Sequence, residues 1–417
     1  MPESESGNSK KTLAKNYVFL MLLQGANYVL PLITLPYLVR VLGTEKYGLI
    51  AFALAFINYF VILTDYGFTL SATREISVHR DNINKVRRIF SAVLAVKGML
   101  VFASFGLMAI VIWIFPKFHE FWPIYVLTFG MVVGQAILPL WFFQGMERMG
   151  FVTALNLTAK LIFTFAIFIF VRTGDDVYWV PVTHSAGFIV AGMAGMWLAW
   201  RRFDVRFVWP HISDVKASIK DSSMYFLSRL SVSFYTSSNA FVLGLFTDTT
   251  MVGYYAMAEK LYLGIQGLFT TLSSVVYPYM SKRRDIALFK NILSAVIIAS
   301  LVLGIAAMMG SNLIFWILFS SSNATGISAF KLFGIVVAIV GPSILIGYPL
   351  LAGWGLPRAA NVSVILGATA HLCGLVILAS WFTINIQNVV ILVIVSESIV
   401  LIVRVTAARK ILLGGRV

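Results

Sequence analysis

Long runs without a charged residue recur along this chain, and they constrain its fold more than any other feature. Residues 47–64, for example, contain no charge at all before Asp65. Only 12% of the chain is charged, whereas soluble domains carry about 25%. Because a helix needs about 20 apolar residues to cross a bilayer and satisfies its own backbone hydrogen bonds there, the pattern predicts an all-α integral membrane protein.

Counting these runs predicts twelve transmembrane helices. They are placed at 16–39, 47–73, 89–114, 122–143, 152–171, 178–200, 222–246, 252–277, 291–315, 332–353, 360–382 and 388–407. The polar stretch before them, 1–15, lacks a cleavage site and is interpreted as a retained tail. A second tail, 408–417, follows the last helix.

The basic residues predict the orientation of these helices. Of the 32 lysines and arginines, 23 fall on the side of the N-terminus, 5 fall on the other side and 4 lie within spans. Short cytoplasmic loops carry the excess of lysine and arginine. Both termini are therefore expected in the cytoplasm, and the net charge of +15 is interpreted as a topology signal.

The longest inner connection, 201–221, divides the spans into two groups of six. This predicts an N-terminal lobe, 16–200, and a C-terminal lobe, 222–407, which run in the same direction and are related by a pseudo-two-fold axis along the membrane normal. The segments GLIAFA (48–53) and GYYAMA (253–258) support the repeat, since each begins the second span of its lobe with G-x-x-A-x-A.

Asp65 and Lys97 are predicted to lie at the same depth in the membrane. Asp65 precedes Arg74 by nine residues, and Lys97 follows Arg88 by nine on the next span, so each is about 13 Å from the inner interface. An unpaired charge at that depth costs about 2.5–3.5 kcal/mol or more. Either the two form a fixed pair that clips two helices, or both line a cavity and separate during transport.

Other polar residues of the spans extend the predicted cavity. Lys160 and Arg229 are also deep, and the face of Arg229 carries hydroxyl groups at three- and four-residue spacing. The predicted polar lining consists of Gln24, Asn27, Tyr225, Ser233 and Thr236, and Ser222 lies on the same face. Lys97, Lys160 and Arg229 outnumber the deep acids Asp65 and Glu397, which favours an anionic, phosphate-bearing substrate.

A further group of ionisable residues has alternative interpretations. Glu397 and His371 could carry a coupled proton or could simply pair helices, and Asp65 is a second coupling candidate. Glu259 and Lys260 are placed near the outer interface, and Arg404 is expected to extend its side chain toward the inner one.

Motifs for catalysis or direct ATP use are absent from the sequence. It contains no Walker A loop, no H-E-x-x-H and no G-x-S-x-G, and its single cysteine, Cys373, excludes an internal disulfide and a cysteine-rich metal site. We therefore expect a protein that is not an enzyme and that needs no cofactor and no metal.

Four segments resemble the O-antigen flippases of the Wzx type, within the multidrug, oligosaccharidyl-lipid and polysaccharide exporter superfamily. They are LPYLVRVLGTEKYGL (35–49), LTDYGFTLSATREIS (63–77), PLWFFQGMERM (139–149) and VGYYAMAEKL (252–261). The resemblance implies two six-helix bundles forming a V around a central cationic cavity. It also implies a cytoplasmic gate near Gln144 and Glu147, with Arg74 at the inner interface, although Gln144 and Glu147 could equally cap the helix end.

The resemblance further implies a flippase that moves undecaprenyl-pyrophosphate-linked glycan repeat units from the cytoplasmic to the periplasmic leaflet of a bacterial inner membrane by alternating access, with or without a coupled ion. The implied partners are this glycan, membrane lipids, and a polysaccharide polymerase and chain-length regulator, with no nucleic acid. Related lipid II flippases have fourteen spans, which disfavours a peptidoglycan substrate. The alternatives are a multidrug antiporter of the same superfamily and a membrane glycan polymerase or ligase.

Overall fold

The computed structural model describes residues 3–320 and 323–413, with side chains except those of 3–24, 228–229 and 231–237. Within these ranges all regular secondary structure is helical. The first eight helices are α1 (Glu3–Asp65), α2 (Phe68–His79), α3 (Ile83–Ile114), α4 (Pro116–His119), α5 (Trp122–Ile137), α6 (Leu140–Gly145), α7 (Met149–Phe170) and α8 (Trp179–Phe203). The others are α9 (Ile212–Phe246), α10 (Thr249–Arg283), α11 (Ile286–Phe319), α12 (Ala324–Leu345), α13 (Pro357–Trp381) and α14 (Ile386–Leu412), with a π-helical turn at Ile346–Ala352.

The helices are those of a multi-pass membrane protein. In the described part of the chain, nine helical stretches are long and apolar enough to cross a bilayer. One of them, Gly25–His79, contains the second predicted span and the part of the first from residue 25 onward. Its backbone leaves the helical conformation at Gly43 (φ 82°). The all-α class is confirmed, whereas the exact arrangement of twelve helices in two bundles stays a prediction.

The second predicted span, 47–73, is not one helix. Helix α1 ends at Asp65, and α2 begins at Phe68 after two residues in the left-handed region, Tyr66 (φ 47°) and Gly67 (φ 78°). There is no room for a side chain at Gly67, because a Cβ there would lie 2.8 Å from Tyr225 Cβ and 2.9 Å from the backbone nitrogen of Phe226. The predicted helix is therefore interrupted at the point where α9 packs against Gly67. As a result, Asp65 lies at the end of a helix and not in the middle of one.

Substituting Gly67 by alanine should destabilise the protein by about 1–3 kcal/mol, because left-handed backbone and overpacking each have a cost. We would measure the thermal unfolding midpoint of the detergent-solubilised protein. Gly106→Ala in α3 is the matched control, since a Cβ there meets nothing within 4 Å. Equal midpoints for the two variants would contradict the proposed packing constraint.

The fourth predicted span, 122–143, is also interrupted. Helix α5 ends at Ile137, Leu138 is extended, and α6 begins after Pro139. Proline has no N–H to donate and disfavours helical backbone in the preceding residue. The short helix α6 buries Trp141, Phe142 and Phe143 and packs against α2.

The chain forms two compact units. The first comprises residues 1–30 and 52–233, and the second comprises 31–51 and 234–417. In the first unit, α8 packs against α5 and α7, and α3 packs against α5. In the second, α12 packs against α10, α11 and α14, and α13 packs against α14. The predicted lobe boundaries stay a prediction.

The predicted linker, 201–221, is only partly irregular. Helix α8 continues to Phe203, and α9 already begins at Ile212. The segment between them is tied to α3: Arg87 pairs with Asp204, and Ser91 Oγ accepts a hydrogen bond of 2.8 Å from the backbone N–H of Val208. This connection therefore belongs to the packing of the first unit.

The N-terminal part of the second unit is a segment of α1. Arg40 Nε donates a 2.8 Å hydrogen bond to the carbonyl of Leu318, and its Nη2 donates to the carbonyl of Ile317. These carbonyls lie in the last turn of α11, where no helical N–H is available to them. A cation at this end also compensates the helix dipole, so Arg40 anchors α1 to α11.

Candidate functional site

The first unit contains the predicted acid–base pair. Lys97 Nζ lies 3.6 Å from Asp65 Oδ1, and only 5% of the lysine side chain and 18% of the aspartate side chain are exposed. Thr69 Oγ1 donates a 2.7 Å hydrogen bond to the same Oδ1. Thr69 lies in the first turn of α2, four residues after Asp65, so this hydrogen bond connects the end of α1 to the start of α2.

The geometry of this pair is that of an ion pair without a direct hydrogen bond, which would require about 3.2 Å or less. Lys97 lies fourteen residues into α3, or about 21 Å from its start. A buried ion pair at this depth is a candidate functional site by default. Both alternatives, a fixed ion pair that holds two helices together and a pair that separates during transport, remain hypotheses.

Lys160 is the second predicted cavity lysine that the structure describes. It lies on α7 and donates a hydrogen bond to Asn27 Oδ1 on α1. Both side chains are half-buried in the first unit. An ammonium group bonded to a neutral amide keeps its full charge, so Lys160 can contribute positive potential for an anion.

The predicted polar face of α9 is only partly described. Ser222 Oγ is buried and lies 2.6 Å from Ser71 Oγ on α2, so its hydroxyl connects α9 to α2. Tyr225 is half-buried beside Gly67. The remaining predicted side chains, Arg229, Ser233, Thr236 and Gln24, lie outside the described residues.

The predicted gate residues meet different surroundings. Glu147 forms an exposed 2.8 Å salt bridge with Arg80 at the end of α2. The end of α6 is closed by backbone hydrogen bonds, from the Met146 N–H to the Phe142 carbonyl and from the Glu147 N–H to the Gln144 carbonyl, and not by the Glu147 side chain. Gln144 is half-buried and Arg74 is exposed. Their gating role stays a prediction.

A polar cleft in the first unit was not anticipated from the sequence. It has a volume of about 90 Å³ and lies between α2, α3 and the start of α9. Its polar lining consists of Ser71, Glu75, Lys85, Arg88, Asp214, Ser218, Asp221 and Ser222. The charges are mixed, so the cleft does not select a simple anion.

Among the described residues, no three His, Cys, Asp or Glu side chains are grouped to hold a metal ion.

The second unit contains two buried polar groups whose partners sequence analysis did not identify. Arg404 is 8% exposed, and its guanidinium donates to Ser363 Oγ at 3.0 Å and to the Ser343 carbonyl at 2.7 Å. The expectation that it extends to the interface was therefore wrong, because these hydroxyl and carbonyl groups hold it inside. His371 is fully buried, and Glu397 is half-buried on α14.

Comparison with known sequences gives one family. A family model described as "Polysaccharide biosynthesis protein" matches residues 13–284. A protein of Escherichia coli (strain K12), named as a proposed O-antigen transporter, is 31% identical over 273 residues, which span 66% of this chain and 66% of that protein. A protein of the same name from Shigella dysenteriae is 29% identical over 272 residues, spanning 65% of this chain and 68% of that protein.

Solved structures share the fold. A multidrug resistance transporter of the MATE family and MOP superfamily, in an inward-facing conformation, superposes with a TM-score of 0.69 and 13% identity, covering 92% of this chain and 95% of its own. The lipid II flippase MurJ, in an inward closed conformation, gives a TM-score of 0.71 and 11% identity, covering 94% and 87%. The sequence relatives from Escherichia coli and Shigella dysenteriae are named as transporters, in agreement with the expectation that this chain is not an enzyme.

Proposed function

Because this chain belongs to the family of polysaccharide biosynthesis proteins, we propose that it is a flippase that moves lipid-linked glycan repeat units across a membrane. The observation that carries the proposal is the buried pair of Lys97 and Asp65 in a fold shared with transporters. A charge inside a membrane protein marks a substrate or ion pathway more often than it marks structure.

The substrate that fits best is an undecaprenyl-pyrophosphate-linked repeat unit of O-antigen or another surface polysaccharide. The curated relatives are named for O-antigen. Pyrophosphate is multiply charged, and lysine ammonium groups bind phosphate oxygens as point charges. Lys97 and Lys160 are the described cations that would hold it, with Arg229 as a third. Hydroxyl groups on α9, at Tyr225, Ser233 and Thr236, would bind the sugars.

Transport is proposed to proceed by alternating access, with the polyprenyl tail remaining in lipid. In the inner membrane, with both termini cytoplasmic, the membrane potential favours outward movement of an anion by about 2.3 kcal/mol per charge per 100 mV. Separation of Lys97 from Asp65 would release the lysine for phosphate, and a coupled ion would add to the drive. A polymerase and a chain-length regulator are the proposed partners that use the exported unit.

The decisive test is the location of lipid-linked glycan in a strain that lacks the gene. We expect loss of long surface polysaccharide and accumulation of repeat units on the inner leaflet, both reversed by the wild-type gene on a plasmid. Leaflet location would be measured by glycan labelling of intact cells before and after lysis.

Two other results would replace the proposal. Accumulation of repeat units on the outer leaflet would indicate polymerase or ligase activity. Normal polysaccharide with lowered drug tolerance would indicate a multidrug exporter, an alternative favoured by the superposition on the MATE-family transporter.

A further inference from the structure

The polar cleft of the first unit carries charges of opposite sign on different helices. Its two cations, Lys85 and Arg88, both lie on α3. Its carboxylates, Glu75, Asp214 and Asp221, lie on α2 and on the first part of α9. The cleft, about 90 Å³ in volume, therefore has a basic wall from one helix and an acidic wall from two others.

The charges of the two walls do not neutralise each other. Within the described part of the chain, neither cation has an ion pair or a hydrogen bond through its side chain, and the same is true of Asp214 and Asp221. Glu75 differs, because His79 Nδ1 lies 3.7 Å from its carboxylate. Asp214 Oδ2 is also buried, and a buried carboxylate oxygen without a partner is unfavourable. Two cations and two carboxylates can therefore interact with a ligand.

Hydroxyl groups form the most buried part of the lining. Ser71 Oγ on α2 and Ser222 Oγ on α9 are buried and lie 2.6 Å apart, and Ser218 is half-buried one turn before Ser222. A hydroxyl group can donate and accept, so these serines suit either end of a ligand that carries both charges. The rest of the lining is apolar and consists of Phe68, Ala72, Ile89, Ala92, Val93 and Ala217.

The cleft lies at the level predicted for the headgroups of the inner leaflet. Arg88 was placed at the inner interface, and Asp214 and Asp221 belong to the longest inner connection, 201–221. The headgroup regions account for the difference between a hydrocarbon core of about 30 Å and a whole bilayer of about 40–45 Å. The cleft volume equals that of about three water molecules at about 30 Å³ each, so the group that fits is small.

We propose that this cleft binds a phosphate ester that carries a primary ammonium group, and that the headgroup of an ethanolamine phospholipid is its source at this level of the membrane. Lys85 and Arg88 hold the phosphate oxygens, the arginine through its planar fork of N–H groups. Asp214 and Asp221 accept hydrogen bonds from the ammonium group, which has three N–H donors. A simple anion or a simple cation would leave one wall without a counter-charge.

A bound headgroup connects helices that the hydroxyl contact does not. Ser71 and Ser222 join α2 to α9, whereas the headgroup joins the cations of α3 to the carboxylates of α9. Because such a ligand binds only the folded arrangement of the three helices, it raises the stability of the first unit in proportion to its occupancy. The lipid is therefore expected to raise the thermal unfolding midpoint of the purified protein.

The test uses the purified full-length chain in detergent and measures bound lipid by native mass spectrometry. The probes are dioleoyl phosphatidylethanolamine, phosphatidylcholine and phosphatidylglycerol, which share a phosphate and both acyl chains. We expect the ethanolamine lipid to bind about tenfold more tightly than the other two, because choline has no N–H to donate and glycerol carries no positive charge. Equal binding of the three lipids, or tighter binding of phosphatidylglycerol, would overturn the proposal.

The two walls are tested by separate variants. Arg88→Gln should weaken the ethanolamine and the choline lipid alike, by about tenfold, since both carry the phosphate. The double variant Asp214→Asn, Asp221→Asn should lose the preference for the ethanolamine lipid without weakening the choline lipid. Arg202→Gln and Asp81→Asn are the matched controls, because both residues are exposed and lie outside the cleft. A preference that persists in the double variant would contradict the acidic wall.

Soluble probes separate the two sources of the ligand and need only the wild type. O-phosphoethanolamine should displace the ethanolamine lipid at lower concentration than O-phosphocholine does, because it alone keeps the ammonium donors. If it binds much more weakly than the lipid, the membrane is the source. If it binds as tightly, the same chemistry serves a soluble ligand. Equal displacement by the two soluble probes would overturn the site, whether or not the variants fold.

Discussion

Substitution of Lys97 by glutamine is expected to abolish glycan transport and to lower the free energy of unfolding by about 3 kcal/mol, because a largely buried carboxylate loses its cation. The contact at stake is the one between Lys97 Nζ and Asp65 Oδ1, at 3.6 Å. Lys97→Arg keeps the charge and should retain transport. Polysaccharide assembly at equal expression is the measurement, and equal activity of the two variants would exclude Lys97 from phosphate binding.

The double variant Asp65→Asn, Lys97→Gln separates the two interpretations of the pair. Since neither residue then carries a charge, its stability should exceed that of Lys97→Gln, and a double-mutant cycle gives the coupling energy. If the pair only holds the two helices together, the double variant should recover both transport and stability relative to Lys97→Gln. If Lys97 holds the substrate, stability returns and transport does not. Arg80→Gln is the stability control, since its pair with Glu147 is exposed and contributes about 0–1 kcal/mol.

Substitution of Gly48 by alanine is expected to prevent accumulation of folded protein. A Cβ at Gly48 would lie 1.8 Å from the Thr249 carbonyl oxygen and 2.6 Å from the backbone nitrogen of Gly253. A Cβ at Gly253 would lie 2.3 Å from the carbonyl oxygen of Thr44. Backbone cannot move aside as a flexible side chain can, so α1 and α10 must separate, at a cost of about 3 kcal/mol or more.

The measurement for Gly48→Ala is the yield of monodisperse protein from the membrane fraction and its unfolding midpoint. Gly98→Ala is the control, because a Cβ there meets nothing within 4 Å. In a helix interior this substitution should stabilise by about 0.5–1 kcal/mol. A Gly48→Ala protein as stable as the Gly98→Ala protein would contradict the close contact of α1 and α10.

The matched positions of Gly48 and Gly253 supported the predicted repeat, and the structure shows a local reason for these glycines. They begin GLIAFA and GYYAMA, and they lie against each other where α1 crosses α10. A repeated motif indicates a shared local requirement, here a residue without a Cβ. It does not indicate which helix packs against the glycine.

The proximity of Asp65 and Lys97 could be anticipated because the rise of a helix is constant and charges in an apolar run are conspicuous. Their equal distance from Arg74 and Arg88 was sufficient to place them at one depth. The break at Tyr66 and Gly67 was not anticipated, since hydropathy does not register a two-residue change of backbone direction inside an apolar run.

The hydrogen bonds of His371 show the opposite case. The ring on α13 contacts Asn239 on α9 and Ser396 on α14, and Asn239 and His371 are separated by 132 positions in the chain. Serine and asparagine are ordinary residues of membrane helices, so neither signals a partner in the sequence. Only the tertiary structure shows that they meet the ring.

The sequence by itself therefore determined the membrane class, the apolar segments and the matched spacing of Asp65 and Lys97 from Arg74 and Arg88, because these depend on local composition and on helix geometry. The tertiary structure alone decided where helices break, which glycines allow close approach and which polar groups meet. Such features depend on side chains from distant segments, for example Gly67 against Tyr225 or Arg404 against Ser343. A hydrogen bond or a steric contact is a property of two residues together, and the sequence lists them one at a time.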